Sequence, residues 1–300
     1  MTDTNRFSLV GATDGGIMMG HMREFDRWTK HAGTPEERES LNHCEGVLRK
    51  YGYETSIIEH DAYISMPGPG RVEVAGEVLE SIVHSFSQPS QKGGVTAKVA
   101  YLGGGKDEDF AGRDLEGMIV LIEGIANPGS GLRASAAGAV GQIHISPHGF
   151  GHEMCVSSVW GSPTHETVGR LPTSVIMTVG SSIGASLKEQ LAGNAELEAT
   201  LFAEVDTSWR KTPILVAELP GPEGGAHEPY VLFTGHHDTW YFGVMDNGGA
   251  NATMLEVARL CAQQRDEWKR GLRIIFWSGH SQGRYSSSTW YADEFWEDIE

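Results

Sequence analysis

Residues 230–277 decide the fold, because two apolar runs, YVLFTG (230–235) and GLRIIFW (271–277), flank a helical run. In that run, NGGANATMLEVARLCAQQ (247–264), Met254, Leu255, Ala258 and Cys261 recur on one helical face. A strand, a helix and a second strand in this order predict a parallel βαβ unit with two buried strands. We therefore expect functional loops at the carboxyl ends of both strands.

Polar stretches follow both predicted strands: GHHD (235–238) after the first and SGHSQG (278–283) after the second. On extended backbone, His236 and Asp238 point to the same side. A carboxylate beside a histidine can bond one ring nitrogen and direct the other at a metal ion. Asp246 precedes the helix and can serve as a second ligand or as a helix cap. Together with His280, these residues predict a metal or catalytic site.

Longer stretches around these residues resemble the zinc aminopeptidase, glutamate carboxypeptidase and transferrin receptor superfamily. The resemblance rests on GHHDTWYFGVMDNGGANATMLEVARL (235–260), RIIFWSGHSQGRYSSSTWYAD (273–293) and GTPEERESLNHCEGVLRKYGYET (33–55). RDLEGMIVLIEG (113–124) and ASAAGAVGQIHIS (134–146) are similar to the protease-associated domain that several members carry as an insert. The resemblance implies an α/β fold with a mixed sheet flanked by helices. It places the metallopeptidase-like domain at 1–82 and 206–300 and the mainly β insert at 83–205.

The resemblance also implies roles for individual residues. His236 would be a metal ligand, Asp238 would orient it, and Asp246 would bridge two zinc ions. The superfamily's paired glutamates, a general base and a ligand, fall on His280 and Ser281. Because a serine hydroxyl is a poor zinc ligand, we expect one divalent ion rather than two, zinc first and copper or iron as alternatives. His280 can act as a base, as a ligand, or as a loop histidine without a catalytic role.

The implied activity is metal-dependent hydrolysis of a peptide or another C–N bond by metal-activated water. Arg284 is expected to pair with a substrate carboxylate, and Tyr285 and Trp240 to contact the substrate. Two alternatives stay open: a metal-dependent lyase or other non-peptidase enzyme acting on an amino-acid-like molecule, and an inactive binding protein. The superfamily places further ligands in a C-terminal half. We therefore expect an incomplete domain, or a second chain or homo-oligomer that completes the site.

Charge and composition exclude several other classes of function. The chain has 300 residues with 23 Lys and Arg against 40 Asp and Glu, a net charge of −17. Such acidity argues against nucleic acid or an anionic membrane as a partner. The N-terminus lacks a signal-peptide pattern, and we expect a cytoplasmic protein. A second metal site among His144, His148, His152 and His165 is a further, weaker hypothesis.

The N-terminal part predicts two helices and a strand. Met18, Met22, Phe25 and Trp28 share one face of a first helix that Gly33 would end. TPEE (34–37) predicts the start of a second helix, with Thr34 and Glu37 as a capping box around Pro35. YETSIIEHDAYIS (53–65) predicts a strand that the turn MPGPG (66–70) interrupts.

Overall fold

The computed structural model describes residues 9–221 and 229–299. Its helices are α1 (Gly15–Phe25), α2 (Pro35–Lys50), α3 (Asp107–Phe110), α4 (Pro128–Ala136), α5 (Ser181–Gly193), α6 (Gly248–Gln263), α7 (Ser286–Glu294) and α8 (Trp296–Ile299). Its strands are β1 (Glu54–Val74), β2 (Glu77–Leu79), β3 (Ser81–Val83), β4 (Val95–Tyr101), β5 (Ile119–Glu123), β6 (Gly141–Ile145), β7 (Val175–Val179), β8 (Glu198–Leu219), β9 (Tyr230–His236) and β10 (Gly271–Trp277). The α/β class is confirmed.

Two compact units make up the chain. Unit 1 comprises Met1–Ala62 and Trp209–Glu300, and unit 2 comprises Tyr63–Ser208. The boundaries of unit 2 therefore differ from those predicted for the insert, 83 and 205. The long strands β1 and β8 contribute residues to both units, so the change in composition near residue 83 does not coincide with the boundary.

The sheet of unit 1 contains the predicted parallel pair. β9 runs parallel to β10, with Tyr230 opposite Gly271 and His236 opposite Trp277. β10 runs antiparallel to β8. Apolar side chains of α1, α2 and α6 pack on one face of these strands, where Phe25, Leu41 and Leu255 are fully buried. Tyr291 of α7 packs with Ile275 of β10 in a second cluster.

The prediction that both strands of this pair are buried is wrong for β9. Ile274, Ile275 and Phe276 of β10 are fully buried, but Val231 and Leu232 of β9 are 49% and 41% exposed. Consecutive residues of a strand point to opposite faces, so each face of β9 carries one exposed aliphatic side chain. Among the described strands β9 pairs with β10 alone, which makes it an edge strand with the composition of a central one.

The N-terminal helices are present, with two corrections. α1 ends at Phe25 rather than at Gly33, because the next residues leave the helix and pair with the loop after β9: the Thr239 amide donates to the Lys30 carbonyl at 2.8 Å. Thr34 caps α2 as predicted, accepting from the Glu37 amide at 3.3 Å. Glu37 does not complete a capping box on Thr34; its carboxylate accepts from the Gly33 amide at 2.7 Å.

Unit 2 is built on a well-covered sheet. β4, β5, β6 and β7 are parallel neighbours, β3 pairs antiparallel with β7, and β8 pairs antiparallel with β4. Every residue of β6 and β7 is buried. The helices α4 and α5 connect or follow strands of this sheet. The assignment of unit 2 to the protease-associated family stays a prediction.

β1 is not interrupted at MPGPG, contrary to the sequence-based expectation. A Cβ on Gly70 would lie 2.6 Å from the Phe202 carbonyl oxygen, and one on Gly68 would lie 3.1 Å from Glu204. These glycines therefore let β1 approach the neighbouring backbone closely and do not break the strand. None of the helices within residues 9–221 and 229–299 is long and apolar enough to cross a bilayer.

Candidate metal centre

The candidate site lies where β9 and β10 end. His236 is the last residue of β9 and lies opposite Trp277, the last residue of β10. The loop 237–247 leaves from the first strand, and the turn 278–285 leaves from the second. Because the strands are parallel and in register, both connections start at the same edge of the sheet. The structure thus brings together the residues that the sequence predicted, His236, Asp246 and His280.

His236 and Asp246 form the central contact of the site. His236 Nε2 lies 3.1 Å from Asp246 Oδ1, and His236 Nδ1 lies 2.9 Å from the Asp238 carbonyl oxygen. A carbonyl only accepts hydrogen bonds, so Nδ1 carries a proton and donates it. In a neutral imidazole Nε2 then presents a lone pair to a carboxylate oxygen. Two acceptors at this distance can share a proton or bind one metal ion.

The carboxyl group of Asp238 binds the backbone of the turn that follows β10. Its carboxyl group is fully buried and accepts from the His280 amide at 3.0 Å and the Ser281 amide at 2.7 Å. Its Oδ1 lies 3.9 Å from His236 Nδ1, beyond hydrogen-bond distance. Asp238 therefore orients His236 through its main-chain carbonyl, while its side chain fixes the turn after β10. Asp246 is not the cap of α6, since Asn247 occupies that position.

His280 lies directly against His236. The two imidazole rings stack with centroids 3.9 Å apart and planes inclined by 7°. The ring of Tyr285 meets His280 edge to face, with ring centroids 4.4 Å apart. Burial, followed by the neighbouring His236, lowers the pKa of His280 to about 4. His280 is therefore neutral at physiological pH, which is the form that can accept a proton or bind a metal ion.

A zinc ion fits part of this arrangement. Tetrahedral ligand atoms at about 2.0–2.2 Å from zinc lie roughly 3.3–3.6 Å apart, and the 3.1 Å between His236 Nε2 and Asp246 Oδ1 is slightly shorter. Catalytic zinc sites have about three protein ligands. Within the part of the chain that the structure describes, no three His, Cys, Asp or Glu side chains are arranged to hold a metal ion. Among the described residues, the site therefore offers two candidate ligands without a third.

The predicted substrate-binding residues lie on the two connections that follow β9 and β10. Tyr285 contacts His280, and the Arg284 guanidinium lies 5.1 Å from the centre of the Tyr285 ring. Both residues have positive φ angles, 50° and 68°, which turn the backbone sharply before α7. Trp240 lies half-buried in the loop between His236 and Asp246. Next to it Tyr241, Phe242 and Met245 are 59%, 49% and 77% exposed.

Several supporting residues had no recognisable signal in the sequence. Asn251 on α6 donates from Nδ2 to the His236 carbonyl at 2.9 Å. Glu37 is fully buried, and its Oε2 accepts from the Ser278 hydroxyl at 3.0 Å. Burial, with Asp238 nearby, raises the pKa of Glu37 well above its ordinary value. These contacts join positions more than 200 residues apart or on different elements, so no local pattern marks them.

The histidines of unit 2 do not form the second metal site that the sequence suggested. His144 is buried at 1% exposure and its Nε2 lies 3.2 Å from Gln142, whereas the side chain of His165 is 91% exposed. No cluster of three possible ligands occurs within residues 9–221 and 229–299. His144 is a core residue of β6, where every side chain is buried.

Comparisons with known proteins find a peptidase family and peptidase relatives. The model of peptidase family M28 matches residues 215–299, which include all the candidate site residues. The probable glutamate carboxypeptidase VP8 of Zea mays is 25% identical and aligns with 100% of this chain and 51% of its own length. The chain thus spans about half the length of the curated relatives it matches.

Two solved structures share the fold. A peptidase M28 precursor from Shewanella amazonensis superposes with a TM-score of 0.77 at 13% identity, covering 97% of this chain and 70% of that one. A zinc aminopeptidase from Bacillus subtilis superposes with a TM-score of 0.65 at 20% identity, covering 87% and 61%. These matches confirm the mixed sheet flanked by helices.

Proposed function

We propose that this chain, a member of the zinc aminopeptidase and carboxypeptidase superfamily, is part of a metal-dependent hydrolase that cleaves a peptide or similar C–N bond. The observation that carries the proposal is the distance of 3.1 Å between His236 Nε2 and Asp246 Oδ1. One lone pair of the histidine and one carboxylate oxygen converge at the carboxyl ends of two parallel strands. The M28 match covers this pair and the turn beside it.

A single zinc ion is the proposed cofactor, held by His236 and Asp246. When bound, such an ion lowers the pKa of a water molecule and polarises a substrate carbonyl. The Asp238 carbonyl keeps the proton of His236 on Nδ1, so Nε2 stays available as a ligand. His280, neutral and stacked on His236, is placed to accept a proton or to become the third ligand. Ser281 stands where the superfamily's ligand glutamate would fall, and its amide donates to Asp238 at 2.7 Å.

The substrate class follows from the residues that border the site. We propose a small peptide or an amino-acid-like molecule, with Arg284 pairing to a carboxylate and with Tyr285 and Trp240 forming part of the pocket wall. An Arg284→Ala variant that retains equal activity on acidic and neutral substrates would remove this role. A cytoplasmic location and homo-oligomerisation remain predictions.

A further polypeptide segment is proposed to complete the site. Two deficits support this: the third ligand is missing among the described residues, and β9 leaves Val231 and Leu232 exposed on its two faces. Both deficits concern β9, because the candidate ligand His236 is the last residue of that strand. A strand added along β9 would cover the apolar side chains and reach the ligand pair.

Zinc binding by the purified chain tests the proposal most directly. We expect about one zinc ion per chain after equilibration with zinc and removal of excess, and loss of that ion in His236→Ala and Asp246→Asn. His148→Ala, which changes a histidine of unit 2, serves as the matched control and should bind as the unaltered protein does. Less than about 0.2 zinc per chain would mean that this chain alone does not hold the ion, which leaves the completing segment or the binding-protein alternative. If zinc binds, hydrolysis of dipeptides compared with small C–N compounds separates a peptidase from a lyase.

A further inference from the structure

A lysine is completely buried next to the candidate site. Lys30 is 1% exposed, and its Nζ donates to the carbonyl oxygens of Phe25 at 2.9 Å, Trp28 at 3.0 Å and Phe242 at 2.6 Å. An ammonium group has three donors, and all three are used. Burial lowers the pKa of Lys30 to about 8, which leaves it mainly charged at neutral pH. A buried charge is tolerated only when it is paired or fully hydrogen-bonded.

The three acceptors come from two distant stretches of unit 1. Phe25 ends α1 and Trp28 follows it, whereas Phe242 lies in the loop between His236 and Asp246. The backbone of Lys30 binds the same loop: its carbonyl accepts from the Thr239 amide at 2.8 Å and its amide donates to Thr239 Oγ1 at 3.3 Å. Lys30 thus holds the loop at two points, Thr239 and Phe242.

The loop has a tight backbone and an outward apolar face. Thr239 Oγ1 donates to the Tyr241 carbonyl at 3.0 Å, and Tyr241 has a φ of 49°, which a non-glycine residue rarely adopts. A Cβ on Gly243 would lie 2.2 Å from Thr239 Cγ2. Because Tyr241, Phe242 and Met245 are exposed, their side chains contribute little burial that could hold this conformation. The polar backbone contacts of the loop must therefore hold its conformation.

We propose that Lys30 is a positioning residue, whose ammonium group fixes the loop 239–246 and thereby sets the distance between Asp246 and His236. This role has two parts, the fixed loop and its effect on the metal ligands. Only the second part rests on the proposed function. Its first part, the fixed loop, holds in the metal-free protein. Lys30 touches no reacting atom; it acts through the Phe242 carbonyl.

Proteolysis of the metal-free protein tests the first part. Chymotrypsin cuts after aromatic residues, and Tyr241 and Phe242 are exposed but held in a strained, bonded backbone. In the presence of a chelator, Lys30→Met should raise the initial rate of cleavage after residues 240–242 at least tenfold. Lys50→Met, the same change at an exposed position of α2, should leave the rate unchanged.

Cleavage after Phe276, a fully buried residue of β10, reports general unfolding of unit 1 in the same digests. A rate at 240–242 within twofold of the unaltered protein would overturn the proposal. So would an equal rise at Phe276, since Lys30 would then be a general stabilising residue. If Lys30→Met does not fold, Lys30→Gln keeps two N–H donors without the charge and is judged by the same two rates.

Zinc affinity tests the second part. A supporting contact of this kind changes metal affinity by about 10–100-fold, so Lys30→Met should weaken zinc binding at least tenfold relative to Lys50→Met. Unchanged affinity would overturn the link between Lys30 and the ligand pair. If the unaltered protein binds no zinc, this chain alone does not hold the ion, and the proteolysis rates decide the role of Lys30 separately.

Discussion

Two parallel strands of this protein have opposite surroundings. β6 in unit 2 is buried at every residue, whereas β9 in unit 1 exposes two of its aliphatic side chains. β6 has a parallel neighbour on each side, β5 and β7, while among the described strands β9 has β10 alone. The comparison teaches that unit 2 covers its own sheet, and that the candidate site lies on the strand that unit 1 leaves uncovered.

Truncation of one side chain in each strand is the strongest test of this comparison. Ile143 in β6 is fully buried, and Ile143→Ala should lower the free energy of unfolding of unit 2 by about 2–5 kcal/mol. Leu232→Ala in β9 removes a side chain that is 41% exposed and should cost unit 1 less than about 1 kcal/mol. Urea unfolding of the two variants measures both values. Equal losses would mean that β9 is covered in solution.

Zinc should stabilise unit 1 and leave unit 2 unaffected. At a free concentration about 100 times the dissociation constant, a ligand that binds only the folded state adds about 2.7 kcal/mol. A chelator should remove this gain, and His236→Ala should show no gain. The measurement is hydrogen exchange of the backbone amides in each unit as the temperature is raised. A zinc effect confined to unit 2 would contradict the assignment of the ligands.

Unit 2 should lose stability in acid because of a buried histidine. His84 is fully buried; the Met154 amide donates to its Nδ1 at 3.2 Å, so its Nε2 donates to Thr178 Oγ1 at 2.6 Å. Burial, with His144 and His152 nearby, lowers the pKa of His84 from 6.5 to about 3. As the pH falls below 6.5 the unfolded chain binds a proton that the folded unit excludes.

The stability contributed by neutral His84 is thus complete above pH 6.5 and declines as the pH falls toward 3. At pH 5 the loss is about 2 kcal/mol, from roughly 1.36 kcal/mol for each pH unit. His84→Gln should reduce the decline in urea midpoint between pH 7.5 and pH 5. His165→Gln, which changes an exposed histidine, should retain the full decline. An identical decline in both variants would show that His84 is not responsible.

The smallest effect on stability is expected from a charge on β9. Leu232→Lys should change the free energy of unfolding by no more than about 0.5 kcal/mol, since the position is partly exposed. Self-association through β9, which stays a prediction, should be weaker in this variant, because charged side chains on edge strands block strand addition. Sedimentation at increasing concentration compares the variant with the unaltered protein. Equal self-association would argue that another surface is responsible.

Local patterns predicted the elements that carry the site. The run 271–277 became β10 with the predicted bounds, and the parallel pair, Thr34 as the cap of α2, and the convergence of His236, Asp246 and His280 followed from periodicity, capping and topology. The exposure of β9 was not predictable, because apolar composition reports what a strand can bury and not what is present to cover it. Glu37 looked like a member of a capping box, yet its carboxyl group accepts a hydrogen bond from Ser278, 241 positions away.

Sequence separation in the site has a consequence for how the protein folds. Lys30 meets Phe242 across 212 positions, and the Ala32 amide meets Gln282 Oε1 across 250. Contacts between residues so far apart in sequence form slowly, since the intervening chain must be closed into a loop first. During synthesis the segment 25–37 leaves the ribosome long before its partners, and all of unit 2 is made in between. We expect unit 2 to acquire its structure first and the metal-ligand pair to form among the last events of folding.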